Sequence, residues 1–190
     1  MTEPSLKDKT KTLILENPVV PKTTSMLHKE AVRSAASYLS KRCSVVLPEF
    51  FSWNDELADV IGFQSRHSVI IECKVSRSDF LADMKKSFRA APDKGMGDYR
   101  YYCCPKGLIK PEELPIGWGL LYIYPSGKVR RVKDSCYPPR ENADLAEDWK
   151  RGGKFPKNID SEHHLLFYYA RRANYAGVHQ HILDYRGFDK

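Results

Sequence analysis

Apolar positions recur along this chain with two different periods. Over residues 25–42, Leu27, Ala31, Ala35, Tyr38 and Leu39 fall on one side of a 3.6-residue turn, which predicts a helix capped by Thr24 or Ser25. Three strand-like runs follow at 43–50, 56–63 and 68–74. The third reads Ser-Val-Ile-Ile-Glu-Cys-Lys, apolar and β-branched until it ends abruptly in charge, and residues 62–67 form the reversal before it. Ser76 and Asp79 have the spacing of a capping box, so a second helix is expected over 77–90, ended by Pro92 and Gly95. Further strands are expected at 99–104, 120–124 and 128–133, the last two joined through Ser126-Gly127. This alternation predicts a mixed α/β core over 25–134.

The flanks differ from the core. Residues 1–24 are rich in Lys and Thr, hold three prolines and one short apolar patch, Leu13-Ile14-Leu15, and read as an N-terminal arm. Residues 136–140 are Pro-rich and read as a connector; 142–151 predict a short polar helix ending at Gly152-Gly153. A longer helix opens at Asp160 or Ser161, with a break at Gly177. Residues 135–190 thus read as a helical appendage on the same core.

Composition narrows the function. Of 190 residues, 42% are hydrophobic, enough to build a core and to exclude wholesale disorder. No apolar run approaches the roughly 18–20 residues of a membrane span, and mean hydropathy is −0.53. The first ten residues have no apolar segment behind them, so a secretory signal is not expected. Thirty-one Lys and Arg against 24 Asp and Glu leave a net charge of +7, which favours polyanionic partners, nucleic acid first. The five cysteines form no CxxC pair, which fits reduced thiols and a cytoplasmic protein better than a disulfide framework or zinc.

The chemistry concentrates at the end of the third strand. The pattern [DE]-x-Lys occurs as Glu72-Cys73-Lys74, Asp83-Met84-Lys85 and Asp148-Trp149-Lys150. The last two lie on predicted helices, where positions i and i+2 diverge by about 200°. On a strand they share one face. With the hairpin turn centred between Ser65 and Arg66, cross-strand partners have numbers that sum to 131, so Asp59 faces Glu72 and Leu57 faces Lys74. Two opposed carboxylates repel, and a bound cation removes that penalty. Oxygen donors without His or thiolate suit a hard ion, Mg²⁺ or Mn²⁺. Lys74 beside it is suited to steering or activating a water and to balancing developing negative charge.

Glu30 on the first helix, Asp59, and Glu72-Cys73-Lys74 at the end of an apolar strand resemble the PD-(D/E)XK, or restriction-endonuclease-like, nuclease superfamily. The order helix–strand–strand–strand–helix–strand over about 25–105 is similar to that family's αβββαβ core. The run from Lys74 to Asp83, Lys-Val-Ser-Arg-Ser-Asp-Phe-Leu-Ala-Asp, is similar to a bacterial branch linked to DNA repair (MmcB-like) and to some phage proteins. The resemblance implies a mixed sheet and metal ligation by Asp59, Glu72 and the Cys73 backbone carbonyl. It also implies a catalytic Lys74 and a supporting catalytic role for Glu30. Ala58 stands where many members have proline.

The expected activity is therefore metal-dependent hydrolysis of DNA phosphodiester bonds. Lys85, Lys86, Arg89, Lys94 and Arg100 are the first candidates to hold the backbone, and Ser76, Asp79 and Asp83 are candidates for the edge of the site. The alternatives are an RNA nuclease, or a binding module without catalysis that grips nucleic acid or protein with the same fold; a homodimer is compatible with any of them. Plainer roles compete: Glu30 as a solvated helix residue, Asp59 and Glu72 as surface charges paired with Lys74 and Arg66, Asp79 and Asp83 as partners of Arg77 and Lys86. His163-His164 lacks a metal spacing, and His179 and His181 share a face only if extended. The stretch Tyr168-Tyr169-Ala170-Arg171-Arg172 interleaves aromatic and basic residues, but an amphipathic helix burying Leu165, Tyr169 and Ala176 explains it more simply. Gly117-Trp118-Gly119 is not a phosphate loop, and the chain has no GxxxxGK[ST] motif.

Overall fold

The structure is a computed structural model that describes residues 26–50, 57–137 and 153–177. The proposed arm at 1–24 and the polar helix at 142–151 lie outside the described residues.

Helix α1 (His28–Ser40) is followed by strands β1 (Val45–Pro48), β2 (Val60–Gln64) and β3 (His67–Cys73). Then come α2 (Arg77–Asp83), the one-turn helix α3 (Ser87–Ala90), β4 (Tyr99–Pro105), β5 (Gly119–Ile123), β6 (Val129–Lys133) and α4 (Ile159–Tyr175). The six strands form one mixed sheet in sequence order. β1 to β3 are antiparallel, β3 to β5 are parallel, and β6 returns antiparallel to β5. The molecule is thus α/β, and the element order expected over 25–105 is present. No helix among the described residues is long and apolar enough to cross a membrane.

The register of β2 on β3 follows from the turn. Val60 pairs with Ile71, Ile61 with Ile70 and Gln64 with His67, leaving Ser65 and Arg66 as the two-residue turn. Because side chains alternate, this register divides the core into two layers. Val60, Ile71, Cys73, Cys103 and Leu121 face α1, where Ala31, Val32, Ala35 and Leu39 are buried. Ile61, Ile70, Tyr102 and Leu120 face the other side, against Phe80 of α2, Trp118, Phe155 and Leu165 of α4. Ile70 and Ile71 are both fully buried, each contributing roughly 1.5–3 kcal/mol of burial. Gly62 lets α1 approach: a Cβ there would lie 2.8 Å from Cys43 Sγ and 3.1 Å from Leu39.

Several elements differ from the sequence expectation. The capping residue of α1 is Leu27, whose backbone N–H donates to the Glu30 carboxylate at 3.1 Å, and its side chain is 65% exposed. The helix expected over 77–90 is two pieces, with residues 84–86 closing tight turns. In a continuous helix Asp83 and Arg89, six residues apart, would point about 120° from each other. The break brings them together, with Arg89 Nε donating to Asp83 Oδ2 at 2.9 Å. Ser76 does cap α2, accepting from the Asp79 N–H at 3.2 Å. In α4, Leu165 is buried as expected, but Tyr169 and Ala176 are exposed. The charged residue Glu162 is buried in their stead.

Candidate active site

The sheet ends in charge at the C-terminal tip of β3. Alternation points Glu72 to the α2 side of the sheet and Cys73 to the α1 side. Lys74 continues the ladder, its N–H donating to the Cys103 carbonyl at 2.9 Å. Glu72 is 2% exposed and Lys74 5%. Lys74 Nζ stands 3.3 Å from Glu72 Oε2, 3.2 Å from Asp83 Oδ1 and 3.9 Å from Asp79 Oδ1. The strand therefore brings Glu72 and Lys74 together, and the first turns of α2 bring Asp79 and Asp83 to the same ammonium.

Asp59 lies one residue before β2, where the register continues it opposite Glu72. Its carboxylate turns onto the β3 backbone: Oδ2 accepts from the Cys73 N–H at 2.7 Å, and Oδ1 is 3.4 Å from His28 Nε2. Its charge is close enough to disfavour ionisation of Glu72. His28, the first residue of α1, was not visible as a site residue, since no motif in the sequence links it to Asp59.

Arg89 closes the other side. Its guanidinium is 3% exposed, 2.8 Å from Asp83 Oδ2 and 3.3 Å from Glu72 Oε1, and lies over the Trp118 ring at 4.5 Å. The Tyr102 hydroxyl donates to Asp83 Oδ2 at 2.6 Å. Lys86 Nζ, on the exposed side, is 2.8 Å from Asp83 Oδ1. Tyr102 and Trp118 also escaped the sequence reading, because as aromatics in apolar runs they signal core.

These contacts set the charge states. Burial pushes the Glu72 carboxyl up, against the pull of Arg89 and Lys74. Burial also opposes ionisation of Asp83, but Arg89, Lys86 and Tyr102 prevail and hold it well below the usual carboxylate range. For Lys74, burial disfavours the charge, yet Glu72, Asp83, Asp59 and Asp79 together raise its pKa. The surrounding carboxylates thus favour the charged form of Lys74.

Other expected site residues lie elsewhere. Glu30 is exposed and spends its carboxylate on the Leu27 N–H. Arg100 is 1% exposed, and its guanidinium donates to the carbonyls of Pro92, Gly95, Gly97 and Pro156. It is a structural residue, because four carbonyls around one loop need a multidentate donor. Arg89 is likewise internal, so of the five cations proposed to hold a backbone only Lys85, Lys86 and Lys94 reach solvent.

The donor set bears on a metal. Among the described residues, no three His, Cys, Asp or Glu side chains form a ready metal-holding group. Glu72 Oε1 is nonetheless buried and accepts no hydrogen bond. The Arg89 guanidinium 3.3 Å away offsets part of the desolvation cost of that oxygen. Two carboxylates, with a main-chain carbonyl and waters completing the shell, suit Mg²⁺, which keeps several waters and takes one or two carboxylates. Asp59 and Glu72 are the two carboxylates that would hold such an ion, and it would have to compete with the Arg89 guanidinium 3.3 Å from Glu72 Oε1.

No family model matches this chain. No curated protein matches it either. Among solved structures, the SPO1766 protein of unknown function from Silicibacter pomeroyi superposes with a TM-score of 0.51 at 21% identity. The match covers 87% of this chain and 98% of that one. At that identity the likeness concerns the fold, which is an α/β fold with a six-stranded mixed sheet.

Proposed function

We propose that this protein is a metal-dependent nuclease of restriction-endonuclease-like fold that hydrolyses phosphodiester bonds in DNA. The observation that carries the reading is the convergence of Glu72, Lys74 and the Asp59 carboxylate at one strand end, with a buried Glu72 oxygen that accepts no hydrogen bond. A bound Mg²⁺ or Mn²⁺ supplies Lewis acidity and an activated water at such a site. The chain's own residues do the rest. Asp59 and Glu72 hold the ion, with Asp59 oriented by the Cys73 N–H. Lys74, kept protonated by four carboxylates, faces the negative charge that builds on the phosphate. Asp83 steadies both Lys74 and Arg89. Lys85, Lys86 and Lys94 are the solvent-facing cations nearest in sequence that suit phosphate contacts.

A second reading, a nucleic-acid-binding module without catalysis, draws on Arg89. Its guanidinium already neutralises Glu72 and Asp83 from inside the protein. The two readings part on one experiment. Supercoiled, linear, single-stranded and branched DNA, and RNA, are incubated with the protein with and without Mg²⁺ or Mn²⁺, alongside calorimetric metal titration. Metal-dependent cleavage that disappears in Asp59→Asn and Glu72→Gln supports the nuclease. In Lys74→Ala, slow turnover with metal binding retained supports the role given to the lysine. Absence of both cleavage and metal binding in the wild type would replace the nuclease reading with the binding module.

A further inference from the structure

The opposite face of the sheet carries a second cationic feature. Two adjoining depressions, of about 660 and 450 Å³, run between α1 and the β6 edge and share Tyr38 and Arg42. The larger opens over Val69, near the start of β3, on the side of the sheet that faces α1. Glu72 lies on the other face, five residues beyond His67 at the rim of the depression, so some 16 Å of strand separates His67 from the carboxylate cluster.

The composition of this groove is selective. Arg33, Lys41, Arg42, Lys128, Arg131 and Lys133 line it, all exposed. Asp134 is the one acidic residue among the described lining, and Arg131 neutralises it at 2.8 Å. The cations come from two sources that need not have agreed. Three lie on the solvent side of α1 and its end, and three on β6 and its turn; of these Arg131 faces α1, while Lys133 pairs with Leu120 past a β-bulge and its Nζ donates to the Pro111 carbonyl at 3.2 Å. Between the two rows sit half-buried aromatic rings: Tyr38, with the Arg42 guanidinium stacked 3.7 Å from its centroid, Tyr101, and Tyr99 edge-on to His67 at 5.5 Å. A row of cations alone serves solubility, or protects a sheet edge from pairing. Cations flanking a floor of planar rings match a chain that presents phosphates at regular intervals and bases between them. A duplex hides its bases, so the rings favour an unpaired strand.

We propose that the α1–β6 groove binds a single-stranded nucleic acid, with the two cationic rows on its phosphates and Tyr38 stacking on a base. This site is separate from the carboxylate cluster and its occupancy needs no divalent ion. The test is fluorescence anisotropy of labelled dT and rU oligonucleotides, and of a duplex of equal length, in chelator. Melting temperature is recorded for each variant. Arg42→Glu combined with Arg131→Glu should weaken single-strand binding at least 10-fold and flatten the salt dependence by roughly one to two units of slope. Since those two arginines also contact Tyr38 and Asp134, the pair Lys41→Gln with Lys128→Gln gives an independent arm, with a several-fold loss expected. Tyr38→Leu keeps the packing and should cost about 10-fold on single strands and little on duplex. Comparison of dT with rU decides which backbone is preferred. The proposal is overturned if both groove pairs leave affinity and salt slope unchanged, or if duplex binds as tightly as single strand and Tyr38→Leu is silent. It is also overturned if Lys85→Gln with Lys94→Gln removes the binding that the groove pairs leave intact. Because no metal is present, failure here leaves the nuclease reading untouched, and failure of cleavage leaves this groove untouched.

Discussion

β3 carries a buried ionic cluster at each end, and they are built on opposite terms. At its start, Ser68, Asp98, Lys157 and Glu162 meet. Asp98 Oδ2 accepts from the Ser68 N–H at 2.7 Å and from Lys157 Nζ at 2.7 Å. Glu162 Oε1 accepts from the Gly97 N–H at 2.8 Å and the Ser68 hydroxyl at 2.6 Å, while Oε2 takes Lys157 at 2.8 Å. Every carboxylate there has directed donors, two of them main-chain, and the result is to pin α4 to the sheet. At the far end the partners of the buried carboxylates are side-chain cations: Arg89 lies 3.3 Å from Glu72 Oε1, and Lys74 and Lys86 lie 3.2 and 2.8 Å from Asp83 Oδ1. A fully satisfied network rigidifies; a partly satisfied one stores a cost that a ligand can relieve. The first cluster is anchored by main-chain as well as side-chain donors; Glu72 and Asp83 in the second are held by side chains.

Four measurements distinguish the two clusters. The largest effect is expected for Glu72→Gln, which should lower metal-dependent cleavage by more than about 100-fold, beyond what loss of a mere supporting contact costs. Its melting temperature should fall only modestly, since burial already penalises the ionised form and Asp83 remains as a counter-charge to Lys74 and Arg89. A large fall in melting temperature would make Glu72 a structural residue like Glu162. Next, Glu162→Gln should destabilise the protein by about 2 kcal/mol in urea unfolding, because Lys157 loses one of its two carboxylates and its other donors are mismatched. Cleavage per folded molecule should be unchanged.

The third concerns acid. Burial opposes ionisation of Asp98, but Lys157 and the Ser68 N–H lower its pKa in the folded state. Its contribution is therefore present above the unfolded value of about 3.9 and lost as pH falls through the lower folded value. Asp98→Asn should weaken the protein near neutral pH and flatten the acid limb of its stability curve, measured by urea titration from pH 6 to 2.5. An acid limb identical to wild type would remove Asp98 from the stabilising cluster. The smallest effect is expected for Ser76→Ala, which removes the α2 cap and should cost about 1 kcal/mol. It should loosen the Glu72–Asp83 cluster more than the anchoring one, seen as faster amide exchange in α2 than in α4.

Local chemistry made much of this legible. The turn at Ser65-Arg66 and the two-residue period of strands set the β2–β3 register, which put Asp59 opposite Glu72 and kept Lys74 on the side of Glu72. Ser76 was legible as a cap because capping is a contact over three residues. The mixed α/β class followed from the alternation of periods. What the sequence alone determined are properties that depend on neighbours along the chain.

The tertiary structure decided which charges are internal. Arg89 and Arg100 carry the same formal charge as Lys85 and Lys94, and nothing in their flanking residues marks them as buried. The first is drawn inward by a helix break that brings it to Asp83, the second by four carbonyls of a loop and of the segment before α4. Glu162 finds Ser68 across 94 positions, and His28 finds Asp59 across an interval with no repeating pattern. Such pairings have no period to betray them. They form because a buried charge must find its counter-charge wherever packing happens to bring one, and packing is a property of the whole chain.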